Sequence, residues 1–328
     1  MRAEAGGGPG IGMRIASGMG GYFKSLGKNI LKNWMLYLLL LPLALQLFFF
    51  SYRPIGSLVI AFQNYSPFLG IDNSPFVGFD NFERLLFGRD SMFFWRAVRN
   101  TVILSVYGLA FGFPFPIMLG VMFHELKMGK FRAISQSILL VPNFLSEVIV
   151  AGMVIAFLQP STGIINHFLI STGVIDEGIY FLTRQEFFRG IFTTISIWMG
   201  AGFSSLIYLS ALTGISQELY ESASLDGASR LQRIWHISLP GIIPTIVTLF
   251  IISIGGLLST SFERVLLLYQ PITFETADVL GTFVYRLGLQ QQSFHTAAAA
   301  GLMNTVVALV LVASANTISR KVAKVGLW

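Results

Sequence analysis

LYESASLDGASRLQRIWHISLPGIIPTI, residues 219–246, joins two long apolar runs of the chain, and its polar residues sit where helix punctuation is needed. Ser216, just before it, is a good N-cap. Gln217 and Glu218 suit the positive first turn, and Ile215, Leu219 and Ala223 fall on one face of a short helix that Gly227 ends. A second helix starts at Ser229, where Gln232 three residues on completes a capping box. Leu231, Ile234 and Trp235 form its apolar side, and Pro240 opens the next apolar run at a first-turn position that needs no N–H donor. The stretch predicts a helix-turn-helix with a small-residue patch, Ser222, Ala223 and Ser224, beside Glu221. Small residues on an exposed helix suit insertion into a groove of another protein, and a carboxylate at the edge suits an Arg or Lys there.

The runs on either side belong to a chain too apolar for water: of 328 residues, 54% are hydrophobic, 14% aromatic and 12% charged, with a mean hydropathy of +0.69. This composition predicts an all-α polytopic membrane protein. Six stretches approach the roughly 20 apolar residues needed to cross a bilayer, near 34–50, 97–123, 133–158, 187–215, 241–268 and 297–318. A seventh apolar piece, PIGSLVIAF (54–62), is too short to span and extends or leans against the first helix. Residues 1–33, Gly-rich and basic, read as a flexible tail ending in an interfacial stretch, with Met13 a second candidate start. The run after it is too long for a signal-peptide core and lacks a small-residue cleavage site, which predicts a retained anchor. A six-helix transmembrane domain is expected over 34–320, with the loop at 216–240, and a short tail over 321–328.

Lys and Arg orient the chain. With both termini on one side, that side holds thirteen of the 22 Lys and Arg, every lysine among them, against Glu4, Glu125, Glu218, Glu221 and Asp226. The positive-inside tendency predicts that both tails and the 216–240 loop are cytoplasmic. The overall charge of +6 then reflects topology and lipid headgroups rather than nucleic-acid binding. Without cysteine there is no disulfide framework, thiolate metal site or Cys nucleophile. The four histidines (His124, His167, His236, His295) have no ligand spacing, which predicts no metal site and no catalytic residues. Lys28 and Lys130 each follow a Gly, but Asn29 and Phe131 stand where a phosphate-binding loop needs Ser or Thr. Any ATP is expected on another chain.

Glu221, Ala223, Gly227, Ile237, Leu239 and Pro240 match the pattern Glu-Ala-Ala, three residues, Gly, nine residues, Ile-x-Leu-Pro, with Ser222 in place of the first Ala. Six such matches are expected by chance about once in 10⁷ windows at ordinary residue frequencies. The pattern resembles the signature of membrane subunits of bacterial ATP-driven (ABC-type) importers. SPFVGFDNFERLL (74–86), FGFPFPIMLG (111–120), the 138–166 span and FERVLLLYQP (262–271) are similar to the carbohydrate branch, particularly permeases for lipo-oligosaccharides, polysaccharides and alginate. Within that branch the chain resembles the first permease of an alginate-oligosaccharide importer. It implies a type I importer permease in the bacterial inner membrane, and itself no enzyme. Its expected partners are a second permease, two ATPase subunits carrying ATP and magnesium, and an extracytoplasmic solute-binding protein. Glu221, Ser222, Ala223, Asp226, Gly227, Ala228, Ile237, Leu239 and Pro240 would form the coupling element that docks into an ATPase.

Carbohydrate recognition needs aromatic faces and groups that pair with hydroxyls. SIWMGAGFSSLIY in the fourth span resembles the Asn-x-Trp-x-Gly stretch at the sugar site of maltose-importer permeases, which maps onto Ser196, Trp198 and Gly200, with Phe203 beside them. Ser259, Thr260, Ser261 and Phe262 in the fifth span and Asn304 in the sixth are further candidates for the substrate path. Glu147, an acid inside the third span, is expensive unless it faces protein or water. It either binds substrate hydroxyls or pairs with Arg264 or with a partner permease. For an acidic polysaccharide, Arg264, Arg286 and Arg184 are better carboxylate contacts. An ion-coupled secondary transporter would also have six spans, but it predicts matching inverted halves and several intramembrane ionisable groups, neither evident here. An intramembrane enzyme would need a Gly-x-Ser-x-Gly nucleophile or paired carboxylates, and neither is present.

Overall fold

The computed structural model describes residues 32–126, 129–256 and 262–322. Among these the elements are helical, apart from one isolated bridge between Gln63 and Phe76. In chain order the principal helices are α1 (Trp34–Phe62), α2 (Ser91–Glu125), α3 (Gly129–Phe144), α4 (Glu147–Phe157) and α5 (Gln185–Thr213). They continue as α6 (Gln217–Leu225), α7 (Arg230–Gly241), α8 (Ile243–Gly255), α9 (Phe262–Leu268) and α10 (Phe294–Val322). Four of them, α1, α2, α5 and α10, are long and apolar enough to cross a membrane; the bent pairs α3/α4 and α7/α8 bring the number to six if each counts as one span. The chain divides into two units at Val59 and Ile60. PIGSLVIAF extends the first span: α-helix Trp34–Gln46 passes into a π-helical turn, Leu47–Tyr52, and then a 3₁₀ stretch, Arg53–Phe62. The interfacial stretch expected before Lys32 lies outside the described residues.

The third and fifth spans are bent. The third turns by 100° between α3 and α4. Pro142 supplies no N–H for a continuing helix, and the chain passes through a 3₁₀ turn, Val141–Phe144, into extended Ser146 (φ −69°, ψ 150°). Ser146 then caps α4, its Oγ accepting from Ile149 N at 3.3 Å. Glu147 is therefore the first residue of a new helix, where a carboxylate meets the positive end of the dipole. The fifth span bends by 61° between α7 and α8. Pro240 lies within α7, and the break falls at Ile242, two residues later than expected. α8 ends at Gly255, and α9 is a separate helix.

From Ile60 onward, α5 is the spine. It packs against the Pro114–Glu125 half of α2 and against α3, at two places where only glycine fits. A Cβ on Gly120 would stand 2.9 Å from Tyr208 Cβ and 3.1 Å from the Ser205 carbonyl, and one on Gly202 would collide with the Leu139 carbonyl. Buried asparagines close the connections. Asn81 donates to the Ala61 and Gln63 carbonyls, both at 2.9 Å, anchoring the 64–80 loop. Asn166 donates to the carbonyls of Leu158, Gln159 and Ile179 and accepts from Ile179 N.

Asn100 is fully buried and holds the 269–290 connection. It donates to the Glu275 and Asp278 carbonyls at 3.0 and 3.1 Å and accepts from Arg189. Beside it, fully buried Asp278 takes two hydrogen bonds from Arg286, at 2.6 and 3.0 Å, and one from Thr282. Thr101 Oγ1 accepts from Leu280 N at 2.9 Å. Glu275, half exposed, is paired with Arg99 at 2.7 Å, and this hydrogen bond holds its carboxyl below the ordinary carboxylate range. That anchor is therefore fully present above the usual glutamate pKa and is lost as pH falls through the lowered value. Removing the amide strands the buried Asp278 carbonyl and leaves Arg189 without its acceptor, while the Glu275 carbonyl keeps its bond from Arg99. Asn100→Ala should destabilise the folded chain by about 1–3 kcal/mol, measurable as a lower thermal-unfolding midpoint in detergent; an unchanged midpoint would remove this role.

Candidate functional site

A cavity of about 640 Å³ opens where the helices are irregular. Its walls are the π-helical turn Gly108–Gly112 of α2, the break between α3 and α4, the Phe192–Tyr208 face of α5, the end of α8, and Arg264 of α9. Stepping along α5, Ser196, Gly200 and Ser204 recur every four residues on one face, and Gly108 and Gly112 do so on α2, so small residues hollow the bundle. Helix interruptions at membrane depth are tolerated where they line a cavity or are buried in protein.

The polar wall of the cavity is one ion pair with its supports. Arg264 donates from Nε to Glu147 Oε2 at 2.9 Å and from Nη2 to Glu147 Oε1 at 2.6 Å, a two-pronged match of planar groups. Its Nη1 donates to Ser196 Oγ at 2.6 Å, and the Ser196 hydroxyl donates to the Phe192 carbonyl at 2.8 Å. The guanidinium carbon stands 5.6 Å from the Phe192 ring centroid, and Nη2 is 3.3 Å from Met199 Sδ. With 8% of the Arg264 side chain and 23% of Glu147 exposed, the carboxylate is the more open of the two. Of the open alternatives for Glu147, pairing with Arg264 is what the structure contains. The pair ties α4, the helix that follows the 100° turn, to α9.

The cavity gathers Ser196, Gly200, Glu147 and Arg264. It does not gather Trp198 or Phe203, which are about half exposed and absent from the lining. Two residues along a helix is 200° of rotation, so Trp198 cannot share the face of Ser196. Phe262 packs on Tyr285, with ring centroids 5.3 Å apart. Asn304 lines a separate apolar cleft of about 320 Å³ between α2 and α10, beside Trp95 and Met303. Ser259, Thr260 and Ser261 lie outside the described residues. Arg286 is engaged with Asp278, and Arg184 is exposed at the N-cap of α5. Asn143, Ser204, Ser253 and Tyr208 line the cavity without having been expected there; the four-residue spacing of small residues was the available signal.

The elbow α6–α7 is built largely as its sequence predicts. Ser216 accepts from Glu218 N, and α6 ends at Gly227 with φ +77°, in the left-handed region that glycine enters freely. Ala228 N reaches the Ala223 carbonyl at 2.9 Å and Gly227 N the Ser224 carbonyl at 3.2 Å, the paired bonds of a Schellman ending. Ser229 and Gln232 form the reciprocal capping box. Arg233 donates to Ser224 Oγ at 2.8 Å and pins the two helices together. The expected apolar face of α6 is corrected: Leu219 is 54% exposed, and Tyr220 is the residue turned inward. Tyr220 packs beside His124 and shares a 3.0 Å hydrogen bond with buried Ser238. Ile215, Ile234 and Leu239 pack on a core of Val121, Tyr208, Leu212 and Ile242, whereas Leu231 and Trp235 stay exposed. Glu221, Ser222, Asp226 and Gly227 all face outward, Ala223, Ala228 and Ile237 are half-buried, and Pro240 is exposed.

Long apolar helices, a broken span facing a hollow and a capped, exposed elbow define a polytopic membrane permease. Residues 112–324 match the family model of the binding-protein-dependent transport system inner membrane component, and the chain belongs to that family. It is 38% identical over 305 residues to the polygalacturonan/rhamnogalacturonan transport system permease protein YteP of Bacillus subtilis (strain 168), covering 93% of this chain and 94% of that protein. A chain from the crystal structure of a bacterial ABC transporter involved in the import of the acidic polysaccharide alginate superposes with a TM-score of 0.82 at 45% identity, over 91% of this chain and 99% of that one. The alginate transporter in complex with a periplasmic protein bound to an alginate pentasaccharide matches equally well, with a TM-score of 0.82 and 45% identity over 92% of this chain and 99% of that one. The fold is the type I ABC importer permease fold, and the protein is a permease subunit.

Breaking the ion pair from one side should cost more than removing it whole, because a lone buried charge has no compensation. Arg264→Met is expected to destabilise the chain by about 3 kcal/mol, and Glu147→Gln/Arg264→Met by clearly less, read as unfolding midpoints of the purified permease. Equal losses in the two variants would contradict the pairing.

Proposed function

We propose that this chain is one of two permeases in a binding-protein-dependent importer of acidic oligosaccharides, driven by two ATPase subunits that carry ATP and magnesium. The observation that carries the coupling half of the reading is the elbow: Glu221, Ser222 and Asp226 point outward from a base locked by the Schellman ending, the capping box and the Tyr220–Ser238 bond. An exposed tip on a stiff base suits a groove in an ATPase, with Ala223, Gly227 and Ala228 allowing close approach. Ile237, Leu239 and Pro240 continue from it into α8. Closure of the ATPase pair on ATP would push the elbow, and the bundle would rock between inward-open and outward-open states. The charge bias supports placing the elbow and both termini in the cytoplasm.

The substrate half is supported by the relatives that carry polygalacturonan and alginate, and by a cavity whose cation, Arg264, is suited to carboxylates. In this reading Ser196, Gly200, Glu147 and Arg264 border the path. Trp198, Phe203, Phe262 and Asn304 would reach sugar only through a face shared with the second permease. A solute-binding protein would deliver the oligomer from the opposite side of the membrane to the elbow.

The test is purification of the tagged chain with its neighbours. ATPase subunits should co-purify, and the reconstituted complex should take up acidic oligosaccharide only with ATP. Glu221→Ala and Gly227→Pro should cut uptake at least tenfold while the chain still inserts in the membrane. Transport by the isolated chain, driven by an ion gradient, would favour a secondary carrier instead.

A further inference from the structure

The guanidinium cluster around the 269–290 connection is not balanced. Arg286 holds Asp278 through two hydrogen bonds, and Arg99 holds Glu275 at 2.7 Å. Arg96 reaches these same carboxylates only at 3.6 and 3.7 Å. Arg189 has no carboxylate partner among the described residues; its hydrogen bond is to Asn100 Oδ1, at 3.3 Å. Four guanidiniums thus share two carboxylates, and the under-neutralised pair is Arg96 and Arg189. Both are half-buried, and the Nε of each is buried without an acceptor. A desolvated cation with an unanswered donor is expensive. Two of them beside Asn100 present donors and positive charge suited to an anion.

The location fits a ligand on its way to the cavity. On α5, Arg189, Phe192, Ser196 and Gly200 follow one another at three- or four-residue steps; on α2, Arg96, Asn100, Leu104 and Gly108 do the same. From Phe192 and Leu104 onward these residues line the cavity. Arg189 and Ser196, the latter bonded to Arg264, are two helical turns apart, about 10 Å at 1.5 Å per residue. A uronate chain with one carboxylate at Arg189 would therefore have its following residues at the cavity wall.

We infer that Arg96 and Arg189 form a carboxylate-binding site on the approach to the cavity, which takes a sugar acid of the incoming oligomer. Arg99 and Arg286, already paired, hold the surrounding frame. The inference rests on the importer reading above and adds to it a defined entry contact distinct from Arg264.

The test uses the full complex of permeases, ATPases and binding protein in liposomes, with uronate tetramers from alginate or polygalacturonan as probe and their carboxyl-reduced, neutral forms as reference. Arg189→Gln and Arg96→Gln should each raise KM for the acidic tetramer about tenfold, the loss of one charge-assisted hydrogen bond. The maximal rate and any uptake of the neutral form should change less than twofold, and Arg189→Lys should recover most of the affinity. Unchanged KM, or equal loss for acidic and neutral tetramers, would overturn the site. So would dissociation of the complex in the Gln variants at normal affinity, since the anion would then come from another subunit. If the wild-type complex moves neither tetramer with ATP, the importer reading itself fails, and this inference with it.

Discussion

A polypeptide in hydrocarbon has no water with which to satisfy a broken backbone, and this one constraint organises the molecule. Each interruption of a span has to be answered by protein. Ser146 caps the helix that restarts after Pro142, and the carboxylate at its first turn is answered by Arg264 across the bundle. The turn between α3 and α4, the π-helical turn of α2 and the end of α8 meet at one hollow, which collects polar side chains from them, whereas the α7/α8 break at Ile242 is packed in an apolar core.

The same constraint explains the buried amides. Asn81, Asn100 and Asn166 each project from a helix, and each turns its side-chain amide onto backbone carbonyls of a neighbouring connection. An amide suits the task because it donates twice without bringing a charge to be neutralised. Arginine appears instead where the groups to be satisfied are carboxylates, as around Asp278 and Glu275.

Local features were readable from sequence to the extent that their causes are local. The elbow's N-cap, capping box and terminating glycine depend on residues within four positions of one another, and all three stand in the structure as read. The apolar runs located the spans, because length and hydrophobicity are properties of a window. The 100° turn was not evident: Pro142 could have been accommodated as a mild kink, as prolines are in many membrane helices. The partner of Glu147 lies 117 positions away, so its identity is a fact of tertiary packing. Trp198 and Ser196 looked like one motif because they are adjacent in a pattern, but helical rotation separates their faces. Tyr220 was overlooked for the reverse reason: its role as the inward anchor depends on Ser238, contributed by the next helix.

The glycine at 202 has a mechanical meaning. There α5 meets the Leu139 carbonyl backbone to backbone, with no side chain between them. Side chains act as compliant spacers, since a rotamer change can absorb a small sliding motion; a bare main-chain contact has no such slack. Any tilt of the central spine must drag the end of α3 along with it, and that end leads directly into the turn ahead of Glu147. The spot works as a fixed bearing, through which movement of one rod becomes movement of the wall of the hollow.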